Sequence, residues 1–269
     1  MSASPKRLID PYAEEWLAAV DAWLMQRQAS HPDCHIVALI DGAFCAETLL
    51  PWLQAELSSA QWLPLYHDLS QADERTLSIS PQLVDIGAIN AAQRSALVKM
   101  TDSKPMLSVM ATPESLQEIA ARLAPFRIIS LQQQRYLLRF ADTRLLPEVC
   151  AVWRDEEFQR FIGSTQAWYY IDRTAQWRRL PMRQPSEAMI TFSPPVQFDE
   201  ARWARLFKAS TPDRLIDDMA PALYERWEKP SARHAWVKAQ LQRPQAPTAF
   251  YDMLDFLKQQ ACQQPPSRS

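Results

Sequence analysis

The segment His31-Pro32-Asp33-Cys34-His35 gathers two imidazoles, a carboxylate and a thiol, which is the donor chemistry zinc takes. A closed zinc site needs a second ligand pair, and His67, His234 and the remaining cysteines lack ligand-pair spacing. The segment is therefore expected to be a connecting loop, and no metal is assigned to it. A second candidate centre begins at Asp41, which ends the apolar run Ile36 to Ile40, where open α/β sheets commonly place functional groups. Cys45 follows it, and with His67 it would make a thiol and imidazole nucleophile of an enzyme site near Asp41. The plainer expectation is that Asp41 accepts from the first amides of the next helix and that Cys45 is a packed helix cysteine.

Other chemistries are excluded by spacing. The three glycines, Gly42, Gly87 and Gly163, lie too far apart for any phosphate cradle that needs two close together. There is no G-x-S-x-G nucleophile elbow. No cofactor is expected, and the chain reads as something other than an enzyme.

What the sequence offers instead is side chains suited to recognition. Between residues 168 and 183 stand Trp168, Tyr169, Tyr170 and Trp177, interleaved with Arg173, Arg178, Arg179 and Arg183. Such a pattern stacks single-stranded bases or forms a hot spot against protein. With 29 basic and 31 acidic residues the net charge is −2, so no global excess draws the chain to nucleic acid or acidic lipid, and protein is the favoured partner. Trp203, Phe207, Trp227 and Trp236, with Arg173 and Arg178, are the partner-binding candidates; by helical spacing the tryptophans also suit a core, leaving one or two as exposed anchors.

The elements that must position these groups follow from periodicity. Asp10-Pro11 should open a helix with Tyr12, Trp16, Val20, Trp23 and Leu24 on one face. Ile36 to Ile40 reads as a central strand buried on both sides, and Pro64 confines Trp62 to Tyr66 to an edge. Further strands are expected over 83–86 and 106–110, and over 127–130 and 135–140, the last two paired across Gln132 to Gln134. Helices are expected from Asn90 to Met100, from Thr112-Pro113-Glu114 to a stop at Pro125 with Leu116, Ile119, Ala120 and Leu123 as its stripe, and from a cap at Asp142 through to a stop at Gly163. Residues 168–192 read as extended. Beyond Ser193-Pro194-Pro195, four proline-separated helical segments are expected, near 199–209, 213–228, 232–242 and 248–261, followed by a disordered tail from Gln263. The expected architecture is thus an α/β lobe with a mixed sheet over residues 1–195 and an all-helical lobe over 196–269.

Four of these segments, in order, carry a resemblance: Ala38-Leu39-Ile40-Asp41-Gly42-Ala43, Trp62-Leu63-Pro64-Leu65-Tyr66, Ser80-Pro81-Gln82-Leu83-Val84 and Arg139-Phe140-Ala141-Asp142-Thr143-Arg144-Leu145-Leu146. Together they resemble the bacterial type VI secretion adaptor chaperones of domain of unknown function 4123, over roughly residues 36–155. The last motif usually reads closer to R-F-Y-D-P-R-V-L, and here Ala141 and Thr143 replace its aromatic and its proline. The resemblance implies a cytoplasmic, non-catalytic adaptor that binds a toxin effector and helps load it onto a spike (VgrG-type) protein. It implies no catalytic residue and marks no binding surface. The chain itself lacks a secretion signal and any run of eighteen apolar residues, so neither export nor a membrane partner is expected.

Overall fold

The computed structural model describes residues 7–183, 195–219, 226–227 and 229–263. The ends of two expected elements, 184–192 of the extended stretch and 220–225 with 228 of a helix, lie outside these residues, as does the tail 264–269.

The apolar run becomes β1 (His35–Asp41), buried at every position after His35. It pairs antiparallel with β3 (Pro81–Asp85) on one side and β4 (Leu107–Thr112) on the other. Outside these lie β2 (Trp62–Pro64), the proline-bearing edge, and on the other flank β7 (Ala167–Ile171) and β8 (Trp177–Arg179). Because successive strand residues point to opposite faces, Val37 and Leu39 enter one core while Ile36, Ala38 and Ile40 enter another. Helices α5 (Leu116–Leu123), α6 (Leu146–Val152) and α7 (Asp155–Ile162) supply the first core with Ile119, Leu123, Val149, Phe158 and Phe161. The second is closed by α1 (Glu14–Ser30), α2 (Leu49–Glu56) and α4 (Ala91–Met100), through Leu24, Leu53 and Leu97. The short α3 (Glu74–Ile79) runs directly into β3. Its end explains Gly42: a Cβ there would sit against the carbonyl oxygens of Ser78 and Ser80.

Residues 128–137 form the expected hairpin, β5 (Ile128–Leu131) and β6 (Gln134–Leu137), turned by Gln132 and Gln133 with φ of 49° and 68°. Two positive φ values in a two-residue link match the twist of the strands. The hairpin stands apart from the large sheet and gains β9 (Val196–Gln197) as a parallel third strand. Among the described residues parallel pairing is confined to this small sheet; every ladder of the six-stranded sheet is antiparallel.

The C-terminal part is helical: α8 (Glu200–Asp218), α9 (Pro230–Leu241) and α10 (Phe250–Gln263). The change of sequence character at residue 195 precedes the change of core. Val196, Phe198 and Leu206 still pack into the first core, and a separate core of Leu215, Ile216, Met219, Trp227, Val237, Leu257 and Ala261 takes over in the second half of α8. Helix α8 is thereby shared by both lobes.

Three local expectations are corrected. The segments expected at 199–209 and from 213 are one helix, running through Pro212. Proline lacks the N–H of the helical ladder, and in the preceding turn the Ser210 and Thr211 hydroxyls donate to the Phe207 carbonyl at 3.0 and 2.8 Å. Asp10 does not cap α1, which starts at Glu14 without a side-chain cap. Its carboxylate instead accepts from the Ser231 amide (2.9 Å) and hydroxyl (2.6 Å) at the start of α9, where an anion is favoured by the unpaired N–H groups. Asp142 likewise does not cap α6; it accepts from the Arg144 amide and holds the Arg144 guanidinium.

Candidate functional site

The zinc-like segment is a turn whose donors are engaged apart. His31 Nδ1 lies 3.1 Å from Gln166 Oε1 and His35 Nδ1 3.0 Å from Asp85 Oδ2, while Cys34 is buried. Among the described residues no group of three or more metal-ligating side chains is gathered. The three residues of the enzyme reading are also occupied separately. Asp41 accepts from the Ala43 amide (3.1 Å) and from Arg139 (2.8 Å). Cys45 Sγ lies 2.9 Å from Thr48 Oγ1, and His67 Nδ1 donates to the Pro64 carbonyl at 2.8 Å. Burial pushes the Asp41 carboxyl above its ordinary range against the pull of Arg139, so its environment is that of a packed ion pair.

The aromatic and basic stretch forms the β7–β8 flank, and its rings are spent on internal packing. Trp168 is fully buried, stacked on Phe161 at 5.4 Å. Trp177 stacks on Trp23 of α1 at 4.3 Å with the planes 6° apart, Tyr169 meets the edge of Trp23 at 5.3 Å, and Arg27 covers both Trp23 and Tyr169. Arg178 is held by Asp172 at 2.6 Å. Arg183 donates to the Cys150 and Trp153 carbonyls. The faces on which bases would stack are therefore covered by other side chains.

Of the helical-lobe candidates, Trp227 is buried against Trp236 at 5.0 Å, and Trp236 itself packs on the C-terminal core. Trp203 packs on the first core and against Tyr136 at 4.6 Å. These tryptophans are core and seam residues: Trp203 and Trp236 lie on α8 and α9, whereas Trp227 lies outside the helices, in the segment before α9. Phe207 is different: it is 44% exposed on α8. It shares one feature with Arg173, an open cleft of about 660 Å³ between the α/β body and the helices.

Several elements build the cleft. The turn before α6 brings Arg144, and α6 brings Glu148; the β7–β8 turn brings Arg173; α8 contributes Arg205, Phe207, Lys208 and Pro212; α9 contributes His234, Lys238 and Leu241. An ion-pair network lies at its base. Arg173 binds Asp213 of α8 with both nitrogens at 2.7 and 2.6 Å, and Arg144 reaches the same carboxylate at 3.3 Å while gripping Asp142 at 2.7 Å. Burial alone would raise the Asp213 carboxyl, but Arg173 and Arg144 hold it below the usual carboxylate range. Burial and the nearby Arg173 push His234 down from 6.5 to about 4, so it is neutral at physiological pH. Nearby, the Asp10 amide donates to the Arg173 carbonyl at 3.0 Å and its carboxylate caps α9, tying the N-terminal arm to both lobes. The cleft was not legible as such in the sequence; Arg173 and Phe207 were, but their convergence depends on α8 continuing through Pro212.

A second surface lies at the small sheet. Tyr66, Leu69, Ile79, Ile128, Leu137 and Pro195 line an open groove of about 530 Å³ beside the β6 edge, and Leu69, Ile79 and Leu137 are each more than 40% exposed.

The fold defines a helix-flanked antiparallel α/β domain that shares one long helix with a helical lobe. Within it, residues 37–160 carry a DUF4123 domain, described as a domain of unknown function. That span takes in most of β1 through most of α7, and so much of the first core and the whole Asp41–Arg139–Asp142–Arg144 cluster. No curated protein and no solved structure matches the chain. No helix among the described residues is long and apolar enough to cross a membrane.

Proposed function

We propose that the protein is a cytoplasmic, non-catalytic adaptor chaperone of a type VI secretion system, which binds a toxin effector and helps load it onto a spike (VgrG-type) protein. The observation that carries this reading is the DUF4123 domain at residues 37–160, together with the order of the four segments that resemble such adaptors. The surfaces support it. A chaperone in the physical sense covers apolar surface that would otherwise associate wrongly, and the molecule offers a cleft holding Phe207 and a groove holding Leu69, Ile79 and Leu137. The motif residues serve the scaffold: Asp41 pairs Arg139, Gly42 admits the α3–β3 turn, and Asp142 fixes Arg144.

The test is co-expression of the full chain with the products of neighbouring genes that encode a spike protein and a toxin. The expected result is a soluble complex containing the adaptor and the toxin, and a lower yield of soluble toxin when the adaptor is omitted. Retention of neither product by the folded chain would overturn the reading.

A further inference from the structure

We infer that the cleft between the α/β body and the helices receives an acidic segment of the bound polypeptide that also carries an apolar side chain; the inference rests on the adaptor reading. The argument is one of charge complementarity against a fixed background. Arg144 and Arg173 are neutralised by Asp142 and Asp213, and His234 is neutral. What remains on the lining is Arg205, Lys208 and Lys238, against Glu148 as the one carboxylate among the described lining residues. Lys208 and Lys238 are exposed and form no ion pair with any described residue, and Arg205 makes only a long 3.4 Å contact with the Ala151 carbonyl. These cations come from two helices, α8 and α9, that both line the cleft. The concentration is local, since the chain as a whole carries −2.

The apolar part of the lining selects the kind of anion. Phe207, Pro212, Leu241, Pro247 and Met253 stand beside the cations, which suits a peptide alternating carboxylates with apolar side chains. A nucleic-acid backbone would leave that apolar surface uncovered, and it would want more phosphate contacts than three side chains supply. The pairing also suits an adaptor: rim charges set orientation and encounter rate, and a buried aromatic anchor supplies holding strength.

The test uses the full chain and three fluorescent probes: a short peptide of alternating glutamate and leucine, the same peptide with lysine in place of glutamate, and a single-stranded oligonucleotide. The expected result is binding of the glutamate peptide in preference to the lysine peptide, weakening with salt. The double variant Lys208→Glu/Lys238→Glu should lose at least about tenfold in that binding, as for charge reversal across a complementary interface, and Lys208→Gln/Lys238→Gln should lose less. Equal binding of the two peptides, an unchanged affinity in the charge-reversed variant, or tighter binding of the oligonucleotide would each overturn the inference. Both lysines are exposed, so an unchanged melting curve establishes that the variants are folded. Co-expression separates the two proposals: a charge-reversed variant that still captures the toxin as the wild type does sinks the acidic-segment inference and leaves the adaptor reading standing. A wild type that captures nothing sinks the adaptor reading, while the peptide comparison still decides the chemistry of the cleft.

Discussion

The β7–β8 flank and the interlobe cleft contain the same kinds of side chain, aromatic rings and arginines, yet differ in how those side chains are partnered. On the flank Trp177 lies on Trp23, Tyr169 on Trp23 and Arg27, Trp168 on Phe161, and Arg178 on Asp172. In the cleft only the base is closed in this way, by Asp213 between Arg173 and Arg144, and the walls keep Phe207, Lys208 and Lys238 open. Residue types alone do not tell the two regions apart. The difference is that the flank has α1 laid across it, and α1 brings its own aromatic stripe, whereas the walls of the cleft line open space.

The comparison breaks most visibly at Trp168. If the flank is a packing device, Trp168→Ala should cost about 3–5 kcal/mol, the range for truncating a buried aromatic, measured by chemical denaturation. Trp168→Phe should cost far less. It keeps a ring to stack on Phe161 and removes an indole N–H that is buried without a hydrogen-bond partner. A Trp168→Ala variant as stable as the wild type would mean that the flank is not held as described.

At the cleft base, Asp213→Ala leaves the Arg173 guanidinium, 20% exposed, with no carboxylate, and strips one of two from Arg144. Breaking one side of a largely buried pair should cost about 3 kcal/mol, and the loss should fall on the junction of the lobes. Hydrogen exchange in α8 and α9 should accelerate while β1 stays protected. Uniform acceleration across both regions would contradict a cleft that is built as its own unit on a finished scaffold.

Most of the scaffold was legible in the sequence, because it obeys local rules. A continuous apolar run gave β1, a proline placed β2 at the edge, Asn90 caps its helix through a capping box, and Gly163 ends α7 at φ 57°. The failures share a cause, which is a side chain whose local role is displaced by a distant partner. Asp10 has the spacing of a cap for α1 but caps α9, 221 residues away. Pro212 reads as a break, yet the helix continues because Leu206 and Leu215 on either side of it are held in two different cores. The cleft inherits both displacements, so no window of sequence contains it. Its residues come from segments near 144, 173, 207 and 238.

The pH response should separate the two regions on a finer scale. His234 lies among Arg173, Asp213, Lys238 and Arg144, and titrates near 4 in the folded protein against 6.5 ordinarily. The unfolded chain therefore takes up a proton first as pH falls, and stability should decline between about pH 6.5 and 4 and be flat above that window. The slope cannot exceed about 1.4 kcal/mol per pH unit for one proton. In His234→Gln that part of the decline should flatten. An unaltered profile in His234→Gln would mean that the cleft wall is wetter than its packing implies.

The smallest expected effect is at Phe207, and it is the sharpest discriminator because stability and recognition should part company there. The ring is 44% exposed and touched from one side by Arg214 at 4.9 Å, so Phe207→Ser should move stability by no more than about 0.5 kcal/mol, as for surface positions without special contacts. The same substitution should weaken binding of the glutamate and leucine peptide by removing its apolar seat. Trp203, four positions earlier on α8 and packed on Tyr136, should do the reverse when replaced by serine, losing stability through the first core. If Phe207 instead behaved like Trp203, α8 would be presenting one continuous packed face on that side, and the cleft would have no aromatic anchor to offer.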